Sequence, residues 1–285
     1  MSDLRVAILN GYPKASRDRF DAANVGHPHD MYADFLRRYV PTVTIDVLFI
    51  ADLGAALPSG ASLTSYDAYI WTGSDLTIYH TDDERVTRQI ELSRAIFEAG
   101  VPCYGSCWGV QMAAVAAGGE VRKNPRGREW GIARRIRRTD AGRESLLLRG
   151  KPDVYDGFIM HLDEVVTLPP GATLLAVNDH THVQAIEVKH RNGTFWATQY
   201  HPEYNLYEMA RLIQARAEPL VKEGFFVDVD AVQAYANDMF ALAANPDDPV
   251  LRDKLSVGSD IIDPAIREVE LRNWIDYLVL PSRRR

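Results

Sequence analysis

Cysteine is scarce in this chain. Cys103 and Cys107 are the only two among 285 residues, and they stand too close in sequence to found a disulfide framework. A reducing compartment suits such a chain, and a cytoplasmic location is the expectation. Long apolar runs are missing too. No stretch approaches the ~20 residues that a membrane span needs, so no membrane role is expected. The start, Met1-Ser2-Asp3-Leu4-Arg5, has neither the basic nor the apolar region of a secretory signal. Positive charge is not in excess: the net charge is −7, which removes the general electrostatic reason to expect nucleic acid. Repeats and low-complexity segments are absent. Asp179-His180-Thr181-His182 is a short polar loop without a third ligand in a clear motif. Neither a metal nor a cofactor is therefore expected.

The remaining composition is that of an ordinary globular chain, with 46% hydrophobic and 25% charged residues. That is enough to bury a full core. The length suits one large α/β domain, or one domain with an appendage.

The most informative stretch is Val101-Pro102-Cys103-Tyr104-Gly105-Ser106-Cys107-Trp108-Gly109-Val110-Gln111. A short apolar run meets Gly-x-Cys-x-Gly, and a helix-forming run, Val110 to Ala117, follows at once. This is the strand–turn–helix pattern of a nucleophile elbow, in which the central residue is strained and its neighbours must be small. Cys107 holds the central place; Ser106 is one position off, which excludes a serine hydrolase in this register. A helix N-terminus beneath Cys107 attracts negative charge. Taken alone, the motif fits a buried structural cysteine equally well. Cys103, inside the apolar run, reads as a small buried hydrophobe.

A second stretch, Phe195 to Glu203, ends in His201-Pro202-Glu203. A thiol nucleophile needs a base, and the base needs an acceptor to orient it. His201 and Glu203 supply both at the end of a strand. In a chain with a cysteine elbow, that pairing favours chemistry over a structural histidine.

Gly-x-Cys-x-Gly-x-Gln followed by His-Pro-Glu resembles the class I (triad) glutamine amidotransferases, and most of all their stand-alone, GMP-synthetase-like members. The resemblance covers roughly residues 4–215. It implies an α/β fold: a flavodoxin-like, mostly parallel sheet flanked by helices. It further implies a catalytic triad of Cys107, His201 and Glu203. The oxyanion hole falls to the backbone N–H groups of Gly73, at the end of the strand Tyr66 to Thr72, and of Trp108. Gln111 matches a position that contacts the amino-acid end of the substrate. His161-Leu162-Asp163 matches a His-Gly-Asp stretch whose backbone cradles the same end; Leu162 replaces the usual Gly, so the pocket there differs in shape. Trp108, Tyr79 and Tyr104 lie in motifs near the site and offer rings to an apolar leaving group.

Several elements are legible on pattern alone. Leu4 to Asn10 and Val43 to Ile50 read as strands, and Asp30 to Val40 and Asp82 to Ala99 as helices. Gly11 to Asp30 reads as a long polar loop, either a lid or a plain surface loop. Arg122 to Arg138 carries eight Lys or Arg and one acid. It reads as two strands joined at Asn124-Pro125-Arg126-Gly127, whose basic face is either solvated, the favoured reading, or a docking face for an acidic partner or an anionic substrate group. Asp140 to Leu148 reads as a short helix, and Thr181 to Tyr200 as a hairpin through Asn192-Gly193. Glu203 to Glu223 reads as one helix. The family core ends near there, so the expected units are residues 1–224 and a helical C-terminal extension, 225–285. In the latter, Pro264 to Leu280 reads as one amphipathic helix and Arg283-Arg284-Arg285 as a frayed tail.

Three functions stand open on the sequence. The chain is a self-sufficient hydrolase of glutamine or of a γ-glutamyl amide, a glutaminase subunit that passes ammonia to a synthase partner, or a non-catalytic binding protein on the same fold. The intact triad residues oppose the third. A homodimer is left open.

Overall fold

Strand alternation organises the first half of the molecule. The structure is a computed structural model and describes residues 3–283. The strands in chain order are β1 (Arg5–Leu9), β2 (Thr44–Leu48), β3 (Ala68–Trp71), β4 (Cys103–Ser106), β5 (Glu120–Lys123), β6 (Glu129–Arg138), β7 (Val154–His161), β8 (Asp163–Thr167), β9 (Ala172–Val177), β10 (Ala185–His190) and β11 (Gly193–Thr198). Nine of them form one sheet in the order β2-β1-β3-β4-β11-β10-β9-β6-β7. The first five are parallel, and the pairings from β11 to β7 are antiparallel. This is the mostly parallel α/β sheet that the sequence implies.

The parallel strands read as unbroken apolar runs because both of their faces are covered. Ala7 and Leu9 of β1, Tyr69 and Trp71 of β3, and Phe195 of β11 pack into one core. Their neighbours Val6, Ile8, Ala68, Ile70, Tyr104 and Trp196 pack into another. The helices are α1 (Lys14–Ala22), α2 (Pro28–Tyr39), α3 (Glu84–Ala99), α4 (Trp108–Ala116) and α5 (Asp140–Glu144), then α6 (Leu206–Ala215), α7 (Ala217–Lys222), α8 (Val229–Ala244) and α9 (Pro249–Leu255). Helix α3 starts on the Asp83 cap, whose carboxylate accepts from the Arg85 N–H, and stops at Gly100 with φ +74°, a left-handed position that suits glycine. Helices α3 and α4 cover one face of the sheet and α2 the other.

Some expectations need correction. Residues 11–30 are not a loop. Helix α1 takes up nine residues of the stretch, with Phe20 buried beside Tyr12 and Val25, and Pro28 opens α2. The basic segment does form two strands, but they do not pair with each other: β5 joins β8 in a separate two-stranded sheet, while β6 lies between β9 and β7. Its charges are mostly paired rather than merely solvated, as in Arg134–Asp156 at 2.7 Å and Arg138–Asp153 at 2.6 Å. The expected helix Glu203–Glu223 begins only at Leu206, where Asn205 caps it, and breaks at Arg216. Helix α5 ends at Glu144, short of Leu148.

Beyond Gly224, α8 and α9 join α1 and α6 around a third core that includes Met239, Leu242 and Leu255. Pro264 to Leu280 is not one helix. It runs as α11 (Pro264–Arg267) after a short α10 (Ser259–Ile262), then α12 (Val269–Trp274) and a π-helical turn, Ile275–Val279. Leu271, Trp274, Ile275 and Val279 pack under the sheet with Tyr104 and Trp196. Arg283 pairs with Asp67 at 2.9 Å; Arg284 and Arg285 lie outside the described residues. Among the described residues, no helix is long and apolar enough to cross a membrane.

Candidate active site

Cys107 stands between β4 and α4 with φ +53° and ψ −95°, a conformation that costs a non-glycine residue energy and recurs at functional turns. Its N–H donates to the Thr198 carbonyl at 2.8 Å, which fixes the turn against the end of β11. The small neighbours are required by close approach. A Cβ on Gly105 would fall 2.7 Å from the Gly109 Cα and 3.1 Å from the Trp71 Cβ.

Because β11 runs parallel beside β4, with Thr198 opposite Ser106, the chain leaving β11 arrives at the elbow. His201 anchors there through its N–H to the Phe158 carbonyl at 2.7 Å. Its Nδ1 meets Glu203 Oε1 at 2.7 Å, with both side chains buried. Burial disfavours the imidazolium, but the Glu203 charge and hydrogen bond, together with the neighbouring Cys107, outweigh it, and the His201 pKa rises from 6.5 to about 10. The ring is therefore a cation at neutral pH.

Glu203 has support that the sequence did not advertise. Ser106 Oγ donates to Glu203 Oε1 at 2.8 Å, and the Tyr32 hydroxyl donates to Ser106 Oγ at 2.7 Å. Ser106 thus helps to hold the carboxylate that holds the histidine. Nothing near Tyr32 in sequence marks it, since it is brought in by helix α2.

Cys107 and His201 open on a pocket that Gln111, His161, Leu162 and Asp163 also line. Gln111 is buried, and its Oε1 has no hydrogen-bond partner among the described residues. The His161 ring is held by its neighbours. Its Nδ1 is engaged by the Asp163 carbonyl at 2.8 Å and its Nε2 by Glu129 at 3.1 Å. Asn178 and Gln184 also donate to Glu129. Both ring nitrogens are thus committed to a buried polar cluster behind the pocket wall. Asp163 accepts from Tyr79 at the rim, 3.1 Å away.

None of the three aromatic rings named from the sequence lines the pocket; Tyr79 is exposed and reaches it only through its hydrogen bond to Asp163. Tyr104 is buried in the core under the sheet. The Trp108 side chain is buried with its indole N–H donating to Gln89 at 2.9 Å, because a residue opening a helix beneath the sheet turns its ring into the core. Gly73 does lie at the site: a Cβ there would be 3.0 Å from the Tyr12 hydroxyl and 3.4 Å from Cε1 of His201. Sequence reasoning missed Tyr12, Tyr204, Arg128 and Arg216, which also line the pocket. They come from three distant parts of the chain and belong to no motif. Among the described residues, no cluster of three or more His, Cys, Asp or Glu is placed to hold a metal ion.

Comparison with known proteins gives this geometry a lineage. Residues 80–217 match the family model described as glutamine amidotransferase class-I. The gamma-glutamyl-L-1-hydroxyisopropylamide hydrolase of a Pseudomonas species is 34% identical over all of this chain and 96% of its own. The glutamine-hydrolyzing GMP synthase of Leifsonia xyli is 34% identical over 54% of this chain, which spans only 27% of that relative's length. A glutamine amidotransferase from Thermotoga maritima has the same fold, with a TM-score of 0.68 at 20% identity over 98% of this chain and 99% of that one. A glutamine amidotransferase from Methylobacillus flagellatus superposes with a TM-score of 0.63 at 19% identity, over 99% of this chain and 96% of its own. On the full-length relative and the matching family model, the chain belongs to the class I glutamine amidotransferases, a hydrolytic enzyme family.

Proposed function

We propose that this protein hydrolyses γ-glutamyl amides through a γ-glutamyl thioester on Cys107. The observation that carries the reading is His201, hydrogen-bonded to the Glu203 carboxylate and lining one pocket together with Cys107. The full-length relative, a γ-glutamyl amide hydrolase by name, supports the substrate class.

The steps follow from the parts. The Cys107 sulfur attacks the γ-carbonyl carbon, a C–S bond forms, and the carbonyl π electrons move onto oxygen. The backbone N–H groups of Gly73 and Trp108 take that oxyanion; such donors each contribute ~2.7–4 kcal/mol in comparable sites. The His201 imidazolium then gives its proton to the amide nitrogen, the C–N bond breaks, and the amine leaves. The neutral imidazole next takes a proton from water, whose oxygen attacks the thioester. Collapse releases glutamate and returns the thiolate–imidazolium pair. Glu203 fixes the ring and stabilises its positive charge, and Ser106 and Tyr32 fix Glu203. Gln111 and the 161–163 stretch hold the amino-acid end. The units 1–224 and 225–285 and a cytoplasmic location remain part of this proposal.

A purified chain assayed alone tests it. Glutamate release from a panel of γ-glutamyl amides is the expected result, and an electrophilic glutamine analogue should label Cys107 and leave Cys103 untouched. Full activity of Cys107→Ala, or labelling at Cys103, would overturn the assignment. The match to GMP synthases favours a second reading, a glutaminase subunit serving a separate synthase. That reading wins if plain glutamine has the highest kcat/KM, or if every turnover needs a second protein.

A further inference from the structure

The pocket wall next to His201 is built of donors that have no acceptor. Tyr12 and Tyr204 are buried, and both line the pocket. Neither hydroxyl has a hydrogen-bond partner among the described residues, although nearly every other buried phenol in the core has one: Tyr32, Tyr69, Tyr104, Tyr155 and Tyr200 are all bonded. Arg216, half-buried at the break between α6 and α7, lines the same pocket. Its guanidinium has no ion-pair or hydrogen-bond partner among the described residues, whereas Arg128 nearby is taken by Glu223 at 2.7 Å. The polar ends of these side chains are not sealed in the core; they open on the pocket and are free to meet a ligand there.

These groups form one cluster. The Tyr204 ring stands edge-on to the His201 ring with centroids 5.0 Å apart. The Tyr12 hydroxyl and the His201 Cε1 flank Gly73. Burial raises the pKa of both phenols, so each stays a protonated donor, and the Arg216 charge is close enough to pull against that shift in both. Tyr12 itself is fixed: its N–H donates to Asn10 Oδ1 at 2.8 Å, its carbonyl accepts from Arg17, and its ring packs on Phe20.

The position of the cluster decides which half of the substrate it meets. His201 must deliver its proton to the leaving nitrogen, so the space beside its ring belongs to the amine. The glutamyl half is assigned to Gln111 and the 161–163 stretch, which other elements supply. Two neutral hydroxyls able to donate, beside a free guanidinium that can only donate, favour a ligand rich in acceptors that carries negative charge. A carboxylate, with two oxygens and about four lone-pair sites, meets all three. We infer that Tyr12, Tyr204 and Arg216 form a carboxylate-binding subsite, and that the preferred substrates are γ-glutamyl amides whose amine half is an amino acid. The inference rests on the γ-glutamyl hydrolase reading and narrows it.

Three isosteric probes test it: the γ-glutamyl amides of β-alanine, 3-aminopropan-1-ol and butylamine, which end in a carboxylate, a hydroxyl and a methyl group. The unsubstituted enzyme should give the β-alanine amide the highest kcat/KM, above the butylamide by ~10–100-fold, as charge-assisted bonds of this kind are worth. Arg216→Gln should bring that ratio close to one, Arg216→Lys should restore part of it, and Tyr12→Phe or Tyr204→Phe should lower it by smaller factors. A best rate on the hydroxyl or methyl probe would overturn the inference. So would Arg216→Gln lowering all three probes equally, since the guanidinium would then hold the glutamyl carboxylate common to them. If no probe is turned over and Cys107 does not react with the electrophilic analogue, it is the hydrolase reading that fails.

Discussion

His201 and Glu203 hold each other in a form that depends on pH. The folded-state pKa of His201 lies above its ordinary value of 6.5, near 10, once burial has been outweighed by the Glu203 carboxylate and the Cys107 contact. A proton held more tightly by the fold adds stability that is complete below about pH 6.5 and is lost as pH rises through about 10. In the proposed mechanism the same proton is the one the amine receives. Activity should therefore fall on the alkaline side as the imidazolium titrates. In Glu203→Gln the carboxylate's pull is gone while the burial penalty stays, so that alkaline limb should move to lower pH. The rate should also fall, by less than the ~10²–10⁴-fold that general acid–base catalysis supplies and that His201→Ala removes. A pH–rate profile of Glu203→Gln superposable on that of the unchanged enzyme would reduce the triad to a Cys107–His201 dyad. Cys103 makes the contrast at this scale: burial raises its thiol pKa, which keeps it a thiol and inert.

At the scale of elements, the strand–turn–helix unit β4–α4 depends on one contact between two glycines. A methyl at Gly105 would press on the Gly109 Cα at 2.7 Å, with Trp71 and Phe195 close on the other sides. None of these is the free end of a flexible chain, so the helix has to shift. Gly105→Ala should cost ~1–3 kcal/mol of stability, the usual range for overpacking, and should also displace Cys107 from His201. Denaturant unfolding and turnover measured on the same variant check this; unchanged stability with full activity would show that the approach is not tight. This unit was legible in the sequence because its constraints are local: small residues at fixed offsets, an apolar run before, a helix former after. Strands β1 and β3 were legible for the same reason, being apolar on both faces. Helix α1 was not. Only Ser16 and Phe20 of its nine residues are buried, and its place is set by distant partners. Arg17 binds Asp52 at 2.7 Å, and Ser16 and Arg19 bind Asp75 on the pocket wall. The proposed triad of Cys107, His201 and Glu203 could be suggested from spacing; the Tyr32–Ser106 support and the Tyr12–Tyr204–Arg216 wall could not, because only the fold brings their segments together.

Across the whole molecule, the C-terminal segment is tied to the sheet by a buried charge. The Lys151 ammonium, 2% exposed, lies 3.0 Å from Glu270, which is fully buried. Lys151 also donates to the Ile266 and Arg267 carbonyls. Tyr200 donates to Glu270, and the Tyr155 and Tyr200 hydroxyls are 2.8 Å apart. Tyr200 is the residue before His201, so the network anchors the backbone that carries the histidine proposed as general acid. Burial lowers the Lys151 pKa and the Glu270 charge pulls it back up, which is the balance of an ion pair that survives only as a pair. Breaking such a pair on one side costs ~3–5 kcal/mol, while replacing both partners by apolar groups of similar volume is often neutral. Glu270→Gln should therefore lower stability by about that amount and lower turnover, although Glu270 touches no substrate. Lys151→Met combined with Glu270→Leu should recover most of the stability. Recovery of turnover is then the informative measurement. If the double variant is stable and active, the pair serves only to dock residues 225–285; if it is stable and slow, the hydrogen bond from Tyr200 to Glu270 is part of what positions His201. A single variant as stable as the unchanged protein would mean that the segment is held by Leu271, Trp274 and Ile275 alone.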